Sequence, residues 1–197
     1  GNNRCQVFCT DTFSKKAETE LQAGMRFGAI NADGSLFASG AWHRGGVRVW
    51  DAQTGRLVTK LLADQEDEDT ATVVTFNPNG RQLATATMSG CELWEIGSWS
   101  LARHISPPPS GTWLIRMAFS RDGKLFAATH SRSRIRLHDA ATGDELAELE
   151  APDSMEITGL AFGLDGSQLF AGESADALRV WDLRLIRQEL AAMGLDW

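Results

Sequence analysis

No apolar run in this 197-residue chain approaches the roughly 20 residues that a membrane-crossing helix needs, so a soluble protein is expected. Basic residues are outnumbered, 19 against 26, which gives a formal charge of -7. That balance argues against a nucleic-acid or anionic-membrane binder held by bulk electrostatics. Cysteine is scarce and odd in number, three in all, so no disulfide framework is expected. Cys5 and Cys9 stand four apart in an expected strand, which puts their Cα atoms about 13 Å apart. A bridge or a shared metal ion is out of reach at that distance. The first residues, GNNRCQVFCTDTF, have neither the basic start nor the apolar centre of a signal peptide, and a cytoplasmic location is expected. Also lacking are a Gly-rich phosphate loop before a helix, a His-Glu-x-x-His and a Cys-x-x-Cys. The acidic run DQEDED at 64–69 alternates carboxylates as a calcium loop does. It lacks the glycine and glutamate that such a loop needs at its sixth and twelfth positions, and reads as a solvated loop. The expectation is therefore no catalytic set, no cofactor, no metal and no enzyme.

A hydrophobic content of 43% supports a real core, and the dominant feature of the chain is a repeat. VRVWDAQTG at 47–55 returns as CELWEIGSW at 91–99, IRLHDAATG at 135–143 and LRVWDLRLI at 178–186. A turn pair recurs as Asp33-Gly34, Asn79-Gly80, Asp122-Gly123 and Asp165-Gly166, at spacings of 46, 43 and 43. The strand after it ends in Trp50-Asp51, Trp94-Glu95, His138-Asp139 and Trp181-Asp182, at spacings of 44, 44 and 43. Two markers moving together at about 40–45 residues define a four-stranded blade. Before each turn, Val74 and Phe76, Met117 and Phe119, and Leu160 and Phe162 alternate with smaller neighbours, and the first unit offers Gly28 and Ile30 there. The Asx-Gly pairs suit a tight hairpin. The second strands, SLFASG, QLATAT, KLFAAT and QLFAGE, place small residues after a large apolar one, which lets a neighbouring blade come close. Recurrence at one repeat position makes Trp50, Trp94 and Trp181 structural, and Cys5 and Cys91 take the place of Val47 as small hydrophobes.

These turns and third strands resemble the WD40-repeat family over residues 4–182. The resemblance implies an all-β fold, a β-propeller segment of four-stranded antiparallel blades, and a scaffold for protein partners more often than an enzyme. In that family a third-strand Trp, a second-strand Ser or Thr, a turn Asp and the His of a Gly-His pair are often linked. This chain has no Gly-His pair, and the expected hydroxyl position holds Thr87 but otherwise Ala41, His130 and Glu173. Blade cohesion is then expected to rest on apolar packing. The chain looks like a divergent bacterial member. Its tail, LRLIRQELAAMGLDW, is similar to the ends of WD40 arrays in large bacterial multidomain proteins, some of them attached to protein kinases.

The repeat sets the blade boundaries. Residues 4–21 form the third and outer strands of an incomplete blade, 22–69 blade one, 70–111 blade two, 112–155 blade three, and 156–182 a fourth blade without an outer strand. A helical tail at 183–197 closes the series, with Leu183, Ile186, Leu190 and Met193 on one face and Gly194 as its stop. All of it reads as one partial propeller, so self-association to complete the ring is a further expectation.

Loops between second and third strands, and between blades, emerge on one face of such a fold. That face collects the acidic run 64–69, SPPPSG at 106–111, AWHRGG at 41–46 and THSRSR at 129–134. Trp42, His43, Arg44, Arg132 and Arg134 are the candidate partner-binding residues, because Trp and Arg dominate interface hot spots. The competing reading has Trp42 folded back as a lid and the arginines as plain surface charge. The function expected is protein–protein interaction, in bacterial signalling. The alternatives are a propeller enzyme with a hydrolase or redox site in its channel, and a structural spacer.

Overall fold

A computed structural model of the chain describes residues 4–9, 11–20, 22–42, 46–62, 71–106, 115–152, 156–174 and 176–195. The chain divides into two compact units, residues 1–106 and 107–197. The first unit opens with a two-stranded sheet, β1 (Gln6–Phe8) and β2 (Lys15–Glu18). Two four-stranded antiparallel meanders come next. One comprises β3 (Met25–Ile30), β4 (Leu36–Ala41), β5 (Val47–Asp51) and β6 (Leu57–Leu61). The other comprises β7 (Val73–Phe76), β8 (Gln82–Thr87), β9 (Gly90–Glu95) and β10 (Leu101–Ile105). The second unit has a third such sheet, β11 (Met117–Phe119), β12 (Leu125–Thr129), β13 (Arg134–Asp139) and β14 (Glu145–Glu150). It ends in a three-stranded sheet, β15 (Ile157–Phe162), β16 (Gln168–Glu173) and β17 (Ala177–Asp182), and the helix α1 (Leu183–Ala192). The fold class is all-β, of β-propeller blades with one short C-terminal helix.

Each unit builds its core between neighbouring blades. In the first, Ala38, Val47, Val49 and Leu61 of blade one meet Val74, Phe76 and Leu83 of blade two. In the second, Ala127, Ile135, Leu137 and Leu149 of blade three meet Ile157, Leu169 and Ala171 of blade four, with Leu183 of α1. Small second-strand residues make this approach possible. A Cβ on Gly40 would lie 1.9 Å from the carbonyl oxygen of Thr72, at the start of the next blade. The counterpart of Phe76 in blade one behaves differently. Ile30 is 56% exposed, in an open groove of about 400 Å³ lined also by Cys5, Phe27 and Phe37. The sheet before blade one supplies only β1 and β2, so among the described residues no inner strand lies under Ile30.

The turns differ in detail from a two-residue hairpin. Gly34 donates its N–H to the carbonyl of Asn31 at 3.0 Å, which closes a four-residue turn, and Gly80, Gly123 and Gly166 repeat it. Only the glycine takes positive φ, 71° at Gly34, as a longer hairpin loop requires. Asp33, Asp122 and Asp165 each accept the N–H two residues on, and hydrogen bonds from Ser35, Ser120 and Ser167 hold their carboxyls below the ordinary range.

The tail is a helix, as expected, but narrower in its contacts. Leu183 is buried and Ile186 packs on the same cluster, whereas Met193 is 63% exposed and does not join that face. Gly194, at φ 74°, ends it.

Candidate functional site

The repeat positions carry a polar link that the sequence pattern places two residues too far along. The indole N–H of Trp50 donates to Ser39 Oγ at 2.8 Å, and Ser39 in turn donates to Gln22 Oε1. Trp94 does the same to Thr85 Oγ1 at 3.0 Å. The acceptors are therefore Ser39 and Thr85, not Ala41 and Thr87; the Thr87 hydroxyl instead accepts the N–H of Ser89. The physical reason is register. Trp50 stands opposite Phe37 and Trp94 opposite Leu83, so each indole reaches its diagonal neighbour two residues on. Gln22, which accepts the Ser39 bond, is fully buried. Blades one and two are thus held by a polar network as well as by packing.

The equivalent second-strand positions in blades three and four are Ala128 and Ala171. His138 there is buried against Phe126, with Nδ1 3.2 Å from the carbonyl of Gly143, and burial keeps it below the usual histidine range. Trp181 is half-buried, with the Arg179 guanidinium 5.9 Å over its ring. Asp51 and Asp139 each accept two N–H groups of the next turn, and Asp182 caps α1.

Of the candidate partner-binding residues, His43 and Arg44 lie outside the described residues, as do the acidic run 64–69 and residues 107–111 of the proline-rich stretch. Trp42 is half-buried at the end of β4. Its N–H donates to the carbonyl of Gly24 at 2.7 Å, and it forms a bridge with Ala71. Its ring lies 6.2 Å from Phe27, with the Arg26 guanidinium 5.6 Å over it. Arg26 carried no signal in the sequence, because its role depends on β3 lying beside the end of β4.

Arg132 is an exposed loop residue whose carbonyl accepts the N–H of Ile157 at 2.9 Å. Arg134 is not in the loop but begins β13. It pairs with Glu148 at 3.2 Å and Glu150 at 3.1 Å on β14, and Arg136 pairs with Glu145 and Glu148. The Arg136 hydrogen bond chiefly holds the Glu148 carboxyl below its ordinary range. These pairs are exposed and screened, each contributing about 0.2–1 kcal/mol at most.

The cysteines remain apart. Cys91 is buried, which pushes its thiol up to about 12, while hydrogen bonding from Thr12 draws Cys9 down to about 7. Among the described residues no three His, Cys, Asp or Glu side chains gather as metal ligands, and no helix is long and apolar enough to cross a membrane.

No family model matches the chain. It is similar to WD repeat-containing protein SL1-17 of Schistosoma mansoni, 28% identical over 82% of this chain and 52% of that protein. It is similar to pre-mRNA-processing factor 19 of Oryza sativa subsp. japonica, 26% identical over 83% of this chain and 31% of that protein. With the small ribosomal subunit protein RACK1 of Caenorhabditis elegans it shares 25% identity over 90% of this chain and 55% of that protein. The chain spans from about a third to just over half of the length of these relatives.

Proposed function

We propose that this chain, similar to a WD repeat-containing protein, is a non-enzymatic scaffold that presents its loop ends to a protein or peptide partner. The observation that carries this reading is Trp42. Backbone bonds to Gly24 and Ala71 fix its position, yet its ring stays half-open under the guanidinium of Arg26. A rigid Trp–Arg pair of this kind loses little side-chain entropy on binding and matches the residue types enriched in interface hot spots. His43, Arg44 and Arg132 remain further candidates in our reading, on residue type alone. The relatives' names fit: one is a ribosomal subunit protein, and another, from Oryza sativa, a guanine nucleotide-binding protein subunit beta. We extend the proposal to residues 4–197 as part of one propeller, to self-association of copies that completes the propeller, and to a cytoplasmic role in bacterial signalling. Sedimentation of the 197-residue chain tests the association.

The test of the scaffold reading starts with affinity capture, identification of the partner by mass spectrometry, and titration of the purified pair. Trp42→Ala and Arg44→Glu should each weaken binding at least about ten-fold, with the thermal midpoint moved by no more than a few degrees. Equal affinity for wild type and both folded variants would remove this surface from consideration.

A further inference from the structure

Helix α1 follows the third strand of blade four, where the other three blades continue into an outer strand. Its first turns enclose a half-open cavity of about 390 Å³ together with two of the repeat turns, β11–β12 and β15–β16, all within the second unit. The two repeat turns meet, since a Cβ on Gly166 would lie 3.9 Å from the Cβ of Ser120. Leu125 and Leu183 give the cavity apolar walls, and both pack on the core cluster of the unit. A space of this size suits a small molecule.

Charged groups complete the lining, and they do not cancel one another by contact. Asp122 and Lys124 come from one turn, Asp165 from the other, and Arg184 and Arg187 from α1. The hydroxyls of Ser120 and Ser167 hold the two carboxyls below the ordinary range, and the charges of Lys124 and Arg184 add less. Both aspartates are therefore ionised at neutral pH. The bonds from Ser120, Ser167 and the Lys124 N–H all fall on one oxygen, Oδ1. Among the described residues neither aspartate forms an ion pair, and the Lys124 ammonium has neither an ion pair nor a hydrogen bond. Arg184 pairs with Asp182 at 3.7 Å through one nitrogen of a group with five donors.

That lining narrows the guest. A purely anionic molecule would meet two carboxylates, and a purely cationic one would meet Lys124 and the arginines. A guest with one charge of each sign satisfies both sets, and its hydrocarbon part can lie on the leucines. Charge-assisted bonds of this kind are the strong ones, so both charges should be needed for binding.

We propose that this cavity binds a small zwitterion, a free α-amino acid with an apolar side chain. Its ammonium group bonds to the carboxylates of Asp122 and Asp165, and its carboxylate to Lys124 and Arg184. Its side chain lies against Leu125 and Leu183. The site shares no residue with the Trp42 surface.

The probe is L-leucine, titrated calorimetrically into the full 197-residue chain. Saturable one-to-one binding is expected. L-leucinamide lacks the carboxylate and isocaproate lacks the ammonium group, and each should bind at least about ten-fold more weakly. These analogues test both ends of the guest with the protein unaltered, which covers failure of a variant to fold. Asp165→Asn should weaken L-leucine at least about ten-fold while leaving the turn intact. Asn79 shows why: in the equivalent turn of blade two its Oδ1 accepts the N–H of Arg81 at 2.9 Å. Lys124→Gln should weaken L-leucine by a similar factor and reduce its advantage over L-leucinamide. Trp42→Ala should leave L-leucine binding unchanged, so the cavity and the loop surface stand or fall separately. Absence of saturable binding, or equal binding of L-leucine and either analogue, overturns the proposal. So does inorganic phosphate that displaces nothing but binds in the wild type, is lost in Lys124→Gln and gains in Asp165→Asn, which makes the cavity a plain anion site.

Discussion

Ser39→Ala tests whether the indole of Trp50 is held by a hydroxyl two residues earlier than the sequence pattern suggests. Trp50 is 1% exposed, and Ser39 and Gln22 are 0% exposed, so no water replaces the lost hydroxyl. The substitution orphans the indole N–H and removes the donor to Gln22 Oε1. An unpaired buried donor costs about 1–3 kcal/mol, and with the second bond the loss should reach about 2–3 kcal/mol. For a chain of this size that corresponds to a fall of about 5–10 °C in Tm. Urea unfolding followed by tryptophan fluorescence and circular dichroism measures it. Thr87→Ala, which loses only a turn bond, should cost less than about 1 kcal/mol. Adding Trp50→Phe to Ser39→Ala removes the orphaned donor, and the double-mutant cycle should show a coupling of about 1–2 kcal/mol. A cost below about 0.5 kcal/mol for Ser39→Ala, or no coupling, would refute the reasoning.

The core carries two more expected outcomes. Gly40→Ala should destabilise by about 2–3 kcal/mol or more in the same assay, because its Cβ would meet the Thr72 carbonyl oxygen, backbone that cannot step aside. Glu92 is raised above the ordinary glutamate range by burial, against the pull of His104 at 3.8 Å, and its Oε2 is buried without a partner. A raised folded-state pKa makes its favourable contribution below the unfolded value and loses it as pH rises, so Glu92→Gln should raise Tm at pH 8 and change little near pH 4. Equal gains at both pH values would contradict that assignment.

The repeat made the blades legible. Two markers at one period located the third strands and their turns, and the helical spacing after Asp182 located α1. The features that stayed hidden depend on register between strands rather than on order within them. Ser39 and Thr85 could not be told from Ala41 and Thr87, because all four lie on the same face of their strands, two residues apart. Arg134 read as a loop charge because THSRSR gives no sign that β13 starts at its last residue, nor that Glu150 stands across from it with Glu148 on the diagonal. Ile30 read as an inner residue since its repeat partner Phe76 is one. Its exposure reflects which strands lie beside it, and that is not a property of its own segment.

One residue type ends the third strand in three blades, and the turn that follows it leads either to an outer strand or to a helix. Asp51, Asp139 and Asp182 each accept the N–H groups two and three residues on, which starts one turn of helix. In blades one and three the residue four positions after the aspartate is glycine, and Gly55 and Gly143 adopt φ of 73° and 81° while donating back to Asp51 and Asp139 at 2.8 Å. That left-handed step reverses the chain into an outer strand. Blade two forces the same step on Trp99, at φ 56°, against the preference of a large side chain. Blade four offers Ile186, a β-branched residue for which the left-handed region is unfavourable, and the turn propagates into α1. With Asp182 serving as its N-cap, the helix draws Leu183 and Ile186 onto the core, and among the described residues β17 pairs only with β16. A helix rather than an outer strand therefore follows Asp182 through local backbone chemistry, with the apolar face of the helix fixing the result.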